Sequence, residues 1–276
     1  MNANKTNNES SAGPGPLRWV FGFTLSCLVV AGVLALLNRP AASGAASVEQ
    51  LALVTQQIPF EAQNALRGET SSFDALGKSM ARMKTVRGEI GAAGLVEDAD
   101  WAKLQSRVGT VGDARLAVQN IEQAGAAVRE LAPKLLSEMG DLASGVGAQK
   151  LEGMSRYLER FELTVQRIQQ DLNGLSTGVT NAAPAAQRLA DSLEFLNQVI
   201  RGLSGEDAGL ALPRLTGADN EQHLKAVAAR YQQFAAAVRK AIGAADPLSK
   251  AQAAARDLPV IAGALSAKLN TASTAP

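Results

Sequence analysis

The sequence predicts an all-α protein: one N-terminal transmembrane helix, then an elongated antiparallel helical bundle built as two stacked helical modules. Three observations predict it. After Ser47, apolar residues recur in alternating steps of three and four along almost the whole chain, the spacing of one helix face. Aromatic residues are only 4% of the chain, and Ala, Leu, Gln and Arg stand where β-branched runs would mark strands. Trp19 to Leu37 carries no charge at all, and nineteen residues at about 1.5 Å each span a hydrocarbon layer of roughly 30 Å.

Residues 1–18, MNANKTNNESSAGPGPLR, are polar and Gly- and Pro-containing and read as a disordered cytoplasmic tail. The span 19–37 is bounded by Arg18 and Trp19 on one side and by Asn38, Arg39 and Pro40 on the other. Lys5, Arg18 and the amino terminus precede it, and no Lys or Arg occurs from Pro40 to Leu66. The N-terminus therefore stays inside and the remainder is exported. A cleaved signal peptide is the rival, because AASGAAS (Ala41 to Ser47) offers small residues for cleavage; it too exports the rest. Cys27, the single cysteine, lies in the span as packing, so the exported part draws its stability from burial and not from disulfides.

Residues 47–270 read as one exported helical-bundle domain. Its clearest heptad seam is Leu151, Met154, Leu158, Phe161, Val165, Ile168, Leu172 and Leu175. A second runs from Val111 through Val118, Ile121, Gly125 and Val128 to Leu142 and Val146, and further seams pass through Leu189 to Leu203, Leu224 to Val238 and Leu248 to Leu269. Gly-, Asn-, Asp- and Pro-containing breaks at Gly91 to Asp98, Gly145 to Ala148, Gly174 to Pro184 and Gly202 to Asp219 separate them. The expected helices are 46–67, 71–91, 99–144, 148–175, 184–204, 219–244 and 247–270, with 271–276 a disordered tail. Pro59, Pro133 and Pro259 fall inside helices as kinks or short breaks.

The formal charge of +1 gives no basis for nucleic-acid binding. Enzymatic readings lack parts: His223 is the only histidine and no cysteine lies outside the span. No catalytic, metal or cofactor-binding residue is expected, and no cofactor. GAAG and GVG interrupt helices and do not follow strands, which excludes a phosphate loop. Met80 and Met83 have core spacing, and Glu159 with Arg156 or Glu162 with Gln166 read as a solvated face. A ligand of such a bundle sits between helices near the membrane-distal end; Arg67, Arg82 and Arg87 are candidates to meet it, surface arginines are the default reading of all three, and no ligand-binding residue is assigned.

One segment reaches beyond pattern. LVTQQIPFEAQNALRGETSSFDAL, Leu53 to Leu76, carries Thr55, Gln56, Ile58, Ala62, Ala65, Gly68, Phe73 and Leu76. In that order they resemble the start of the extracytoplasmic domain of the PilJ family, the methyl-accepting chemoreceptors of the type IV pilus system. YLERFELTVQRIQ, with Leu158, Glu159, Arg160 and Phe161, is similar to the opening of the second half of that domain. The likeness extends loosely over Val48 to Leu269. It suggests an internal duplication in which TQQI and LERF begin comparable helix sets, with RELAP (Arg129 to Pro133) and RDLP (Arg256 to Pro259) late in each.

What the resemblance implies is a bacterial inner-membrane protein with a periplasmic sensor domain for twitching motility. Its expected partners are the membrane through a single span, a second copy or the rest of a chemoreceptor, and a small ligand or pilin. Family members continue into a second membrane helix, a HAMP linker and a cytoplasmic hairpin. This sequence ends at LNTASTAP, so receptor output is expected to need a signalling module supplied elsewhere. The alternative is a membrane-anchored helical scaffold or adaptor of the bacterial envelope.

Overall fold

Burial of the seams decides the architecture. In the computed structural model, which describes residues 44–89, 98–146, 148–206, 209–210 and 212–274, the chain forms seven helices and no strand among the described residues. They are α1 (Gly44–Leu66), α2 (Thr70–Glu89), α3 (Asp98–Asp113), α4 (Arg115–Ser144), α5 (Ala148–Ser176), α6 (Ala182–Ser204) and α7 (Ala218–Thr274). The expected span 19–37 and the break at 91–97 lie outside the described residues. No described helix is long and apolar enough to cross a membrane.

The frame is a pair of antiparallel rods. One is α3 followed by α4, and the other is α7, whose 57 residues make a helix roughly 85 Å long. Polar contacts mark their register. Lys268 Nζ lies 2.6 Å from Asp100 Oδ2 and Arg107 Nε 3.1 Å from Asp257 Oδ2. Further along, Lys240 Nζ donates to Gln123 Oε1 at 2.6 Å, and Arg230 Nη2 lies 3.4 Å from Glu138 Oε1. As numbers fall along α7 they rise along the other rod. Such partly exposed pairs stabilise little by themselves; the buried seams beneath them, from Leu104 to Leu142 and from Val227 to Leu269, hold the rods together.

Two hairpins clothe the rods. α1 and α2 pack at the end where α3 begins and α7 finishes, with Ser266 Oγ donating to the Ala52 carbonyl. α5 and α6 pack on α4 and the first half of α7, with the Tyr231 hydroxyl donating to the Leu193 carbonyl at 2.9 Å. Between α5 and α6, Arg188 grips Asp171 (Nε to Oδ1, 3.1 Å), and the Arg160 guanidinium lies 4.3 Å from the Phe195 ring centre.

The hairpin turns are built alike and meet. Gly68 (φ 91°) ends α1 with Glu69 N–H donating to the Asn64 carbonyl and Gly68 N–H to that of Ala65. Gly178 (φ 68°) ends α5 with Val179 N–H donating to the Gly174 carbonyl and Gly178 N–H to that of Leu175. Both are left-handed helix stops that satisfy terminal carbonyls. A Cβ on Gly68 would lie 3.6 Å from the Ser176 carbonyl, and one on Gly178 would lie 3.4 Å from the Leu66 carbonyl. Leu66 and Ser176 occupy the same place in the two turns, so the contact is reciprocal, as about a local two-fold axis.

That equivalence corrects the register of the duplication. Aligned on the turn glycines, Thr55, Gln56 and Ile58 correspond to Val165, Gln166 and Ile168, and not to LERF, which falls two turns earlier. Heptad sequences match one another at several one-turn offsets, and only the glycine stops remove that ambiguity. Beyond the turns the second connection is longer, and Leu76, Met83 and Val86 of α2 match Leu189, Leu196 and Val199 of α6 at an offset three residues larger. In the rods, aligning Arg129 and Leu131 of RELAP with Arg256 and Leu258 of RDLP pairs Val111, Ala114, Val118 and Ile121 with Val238, Ala241, Ala245 and Leu248; every one of these paired apolar residues is buried.

Helix boundaries differ from expectation in two places. The expected helix 99–144 is interrupted at Ala114, where the Ala114 N–H bonds the Val111 carbonyl in a tightened turn. Gly109, Gly112 and Asp113 supply the weak helix formers that permit it. Conversely, 219–244 and 247–270 are one helix through Pro247, and it runs past 270 to Thr274. Ala241, Ala244, Ala245 and Leu248 are all buried across that point, and their packing outweighs the hydrogen bond that proline lacks. Pro59, Pro133 and Pro259 also sit within unbroken helices. Leu151, the first residue of the clearest seam, is 36% exposed, while Phe161, Val165 and Ile168 are fully buried.

Candidate functional site

A groove arises where a glycine replaces a side chain on a buried seam. At Gly125 the face of α4 toward α5 has no side chain, and the opposing face of α5 is amide-rich: Gln166, Gln169, Gln170 and Asn173. The result is a groove of about 430 Å³ floored by Val128 and Leu172, within the size range of small-molecule sites. Arg129, one turn beyond Gly125, folds back over it, with Nη1 3.8 Å from where a Gly125 Cβ would stand. The guanidinium has no hydrogen-bond or ion-pair partner among the described residues, nor have the amides of Gln169, Gln170 and Asn173. Gln166 is tied back, its Nε2 donating to Glu162 Oε1 at 3.3 Å.

No family model matches the chain, and no curated protein matches it. The groove therefore has to be read from its own chemistry. It offers one unpaired cation, several side chains that both donate and accept hydrogen bonds, and an apolar floor.

The residues singled out from the sequence lie elsewhere. Arg67 sits in the α1–α2 turn, its Cγ 3.2 Å from the Cβ position of Gly178. Arg87 pairs with Asp98 and stacks over Trp101, 5.1 Å from the ring centre. Arg87 and Trp101 close a cavity of only about 10 Å³ lined by Leu51, Met83 and Leu265, room for a single water at most. Arg82 is also engaged. His223 is half-buried near the start of α7; Met83 is buried and Met80 packs against the core. Among the described residues no three His, Cys, Asp or Glu side chains cluster as metal ligands.

Sequence reasoning missed Arg129 and took Gly125 as a small core residue. A glycine within a buried seam, opposite a helix whose outer face is glutamine after glutamine, is the signal that could have found the groove. One titratable group in the first hairpin is also perturbed. Glu61 of α1 accepts from the Ser79 hydroxyl of α2 at 3.0 Å, yet its other oxygen is buried without a partner. Burial pushes its pKa up, against the lowering effect of Ser79.

Proposed function

We propose that residues 44–274 are the periplasmic sensory module of a pilus-linked receptor of the chemoreceptor type, anchored in a bacterial inner membrane through residues 19–37. A single observation carries the reading: α7 runs without interruption from the hairpin that holds the groove to the hairpin where the described chain begins. A ligand that shifts α5 against α4 thereby acts on a rod whose other end lies beside α1, the helix that follows the anchor. Packed rods of this kind move between discrete arrangements by small shifts, and so transmit displacement over tens of ångströms. The order of TQQI, Gly68 and Phe73 behind one apolar segment supports the pilus assignment. Signal output then requires a cytoplasmic module, on this or another polypeptide.

The test is deletion of the gene in its own bacterium, with complementation by the full chain. Surface pili are expected to remain while the twitching response is lost. Unchanged twitching would overturn the reading. Loss of the pili themselves would replace it with the alternative, an envelope scaffold.

A further inference from the structure

The two halves of the chain are equivalent, so a position whose side chain is used by the fold in one half and left over in the other marks a built difference. Gly125 and Arg129 of α4 correspond to Gln252 and Arg256 of α7, in the register that pairs Ile121 with Leu248 and Val128 with Ala255. In α7 both polar side chains are consumed. Gln252 Oε1 accepts from the Ala182 N–H and its Nε2 donates to the Thr180 carbonyl, each at 3.0 Å. Arg256 donates to the Gln252 carbonyl at 3.3 Å and to Asn181 Oδ1 at 3.1 Å. In α4 a glycine stands in place of the glutamine, which opens space, and the arginine has no partner among the described residues. Opposite them, Gln169 and Gln170 stand where α1 has Pro59 and Phe60.

We propose that the groove between α4 and α5 binds a small monocarboxylate whose body carries hydroxyl or amide groups. The inference rests on the reading of this chain as a ligand-binding module and names the ligand class for it. A planar guanidinium over an empty glycine position is a fork for one carboxylate. The amides of Gln169, Gln170 and Asn173 match groups that both donate and accept, and Val128 and Leu172 take the carbon skeleton. No carboxylate lines the groove, so a cation finds no counter-charge there, and a dianion finds a single arginine.

Calorimetric titration of the full chain in detergent micelles tests this with four probes. D-gluconate and N-acetylglycine, which combine a carboxylate with hydroxyls or an amide, are expected to bind. Glucose, which has the hydroxyls alone, and putrescine, a dication, are not. Arg129→Gln should weaken binding about ten-fold or more, the loss of a charge-assisted pair. Gly125→Gln, which installs the residue of the other half, should abolish it by filling the groove. Arg256→Gln is the matched control and should bind as wild type, with circular dichroism melts confirming that each variant is folded. The proposal is overturned if neither acid binds the wild type, if Arg129→Gln and Gly125→Gln bind unchanged, or if Arg256→Gln loses as much. Binding of the acids with normal twitching in the deletion strain would keep this site and overturn the pilus reading; a twitching defect without binding would do the reverse.

Discussion

Gly68, Gly178 and Gly125 show how one residue type serves opposite ends. The first two hold positive φ at the hairpin turns and let the turns touch. An alanine at Gly178 would sit in the left-handed region and press on Arg67 Cγ at 3.2 Å; Gly178→Ala should destabilise by about 1–2 kcal/mol in urea unfolding. Gly125 lies in a regular helix, where an added Cβ would meet only Arg129 Nη1 at an ordinary contact distance of 3.8 Å, so Gly125→Ala should stabilise by about 0.5–1 kcal/mol. Glu61 supplies a pH dependence. Its folded-state pKa is raised above the ordinary value of 4.5, so its contribution is fully present below that value and is lost as pH rises through the folded pKa. Glu61→Gln, which keeps an acceptor for Ser79 without the charge, should therefore melt above wild type at neutral pH. The gap should close as the pH falls toward the ordinary carboxylate range.

At the scale of elements, the contest is between local propensity and burial. α3 and α4 separate at Ala114, where weak helix formers coincide with small buried side chains, Ala114 and Ala117. α7 crosses the same level intact despite Pro247. Because Pro247 is exposed and only its missing N–H is lost, Pro247→Ala should restore a backbone bond and stabilise by about 1–3 kcal/mol. A denaturant titration that gave no gain would show that the proline sets a bend on which the two hairpins depend.

The whole molecule is two like halves sharing a pair of rods, each hairpin resting on the start of its own rod and the end of the other. Phe161 of α5 is fully buried in this arrangement. Phe161→Asp should cost about 3–5 kcal/mol through lost packing and an unpaired buried charge, read as a lowered Tm in thermal unfolding. An unchanged Tm would mean that α5 packs against a partner and not against α4 and α6.

The sequence by itself determined the fold class and nearly every core position. Val111 to Val146, Phe161 to Leu175 and Leu248 to Leu269 are buried where a three-four repeat places them, because each helix faces the core with one fixed stripe. It also bracketed both hairpin turns, between the expected helices 46–67 and 71–91 and within Gly174 to Pro184. Only the tertiary structure decided the register of the duplication, the break at Ala114, the continuity through Pro247 and the groove at Gly125. Heptads are degenerate under one-turn shifts, and whether a proline or a glycine interrupts a helix depends on what packs across it. The groove exists only when residues far apart in sequence on two consecutive helices are brought side by side: Arg129 remains an exposed cation, and only the fold sets it beside Gly125 and the glutamines of α5.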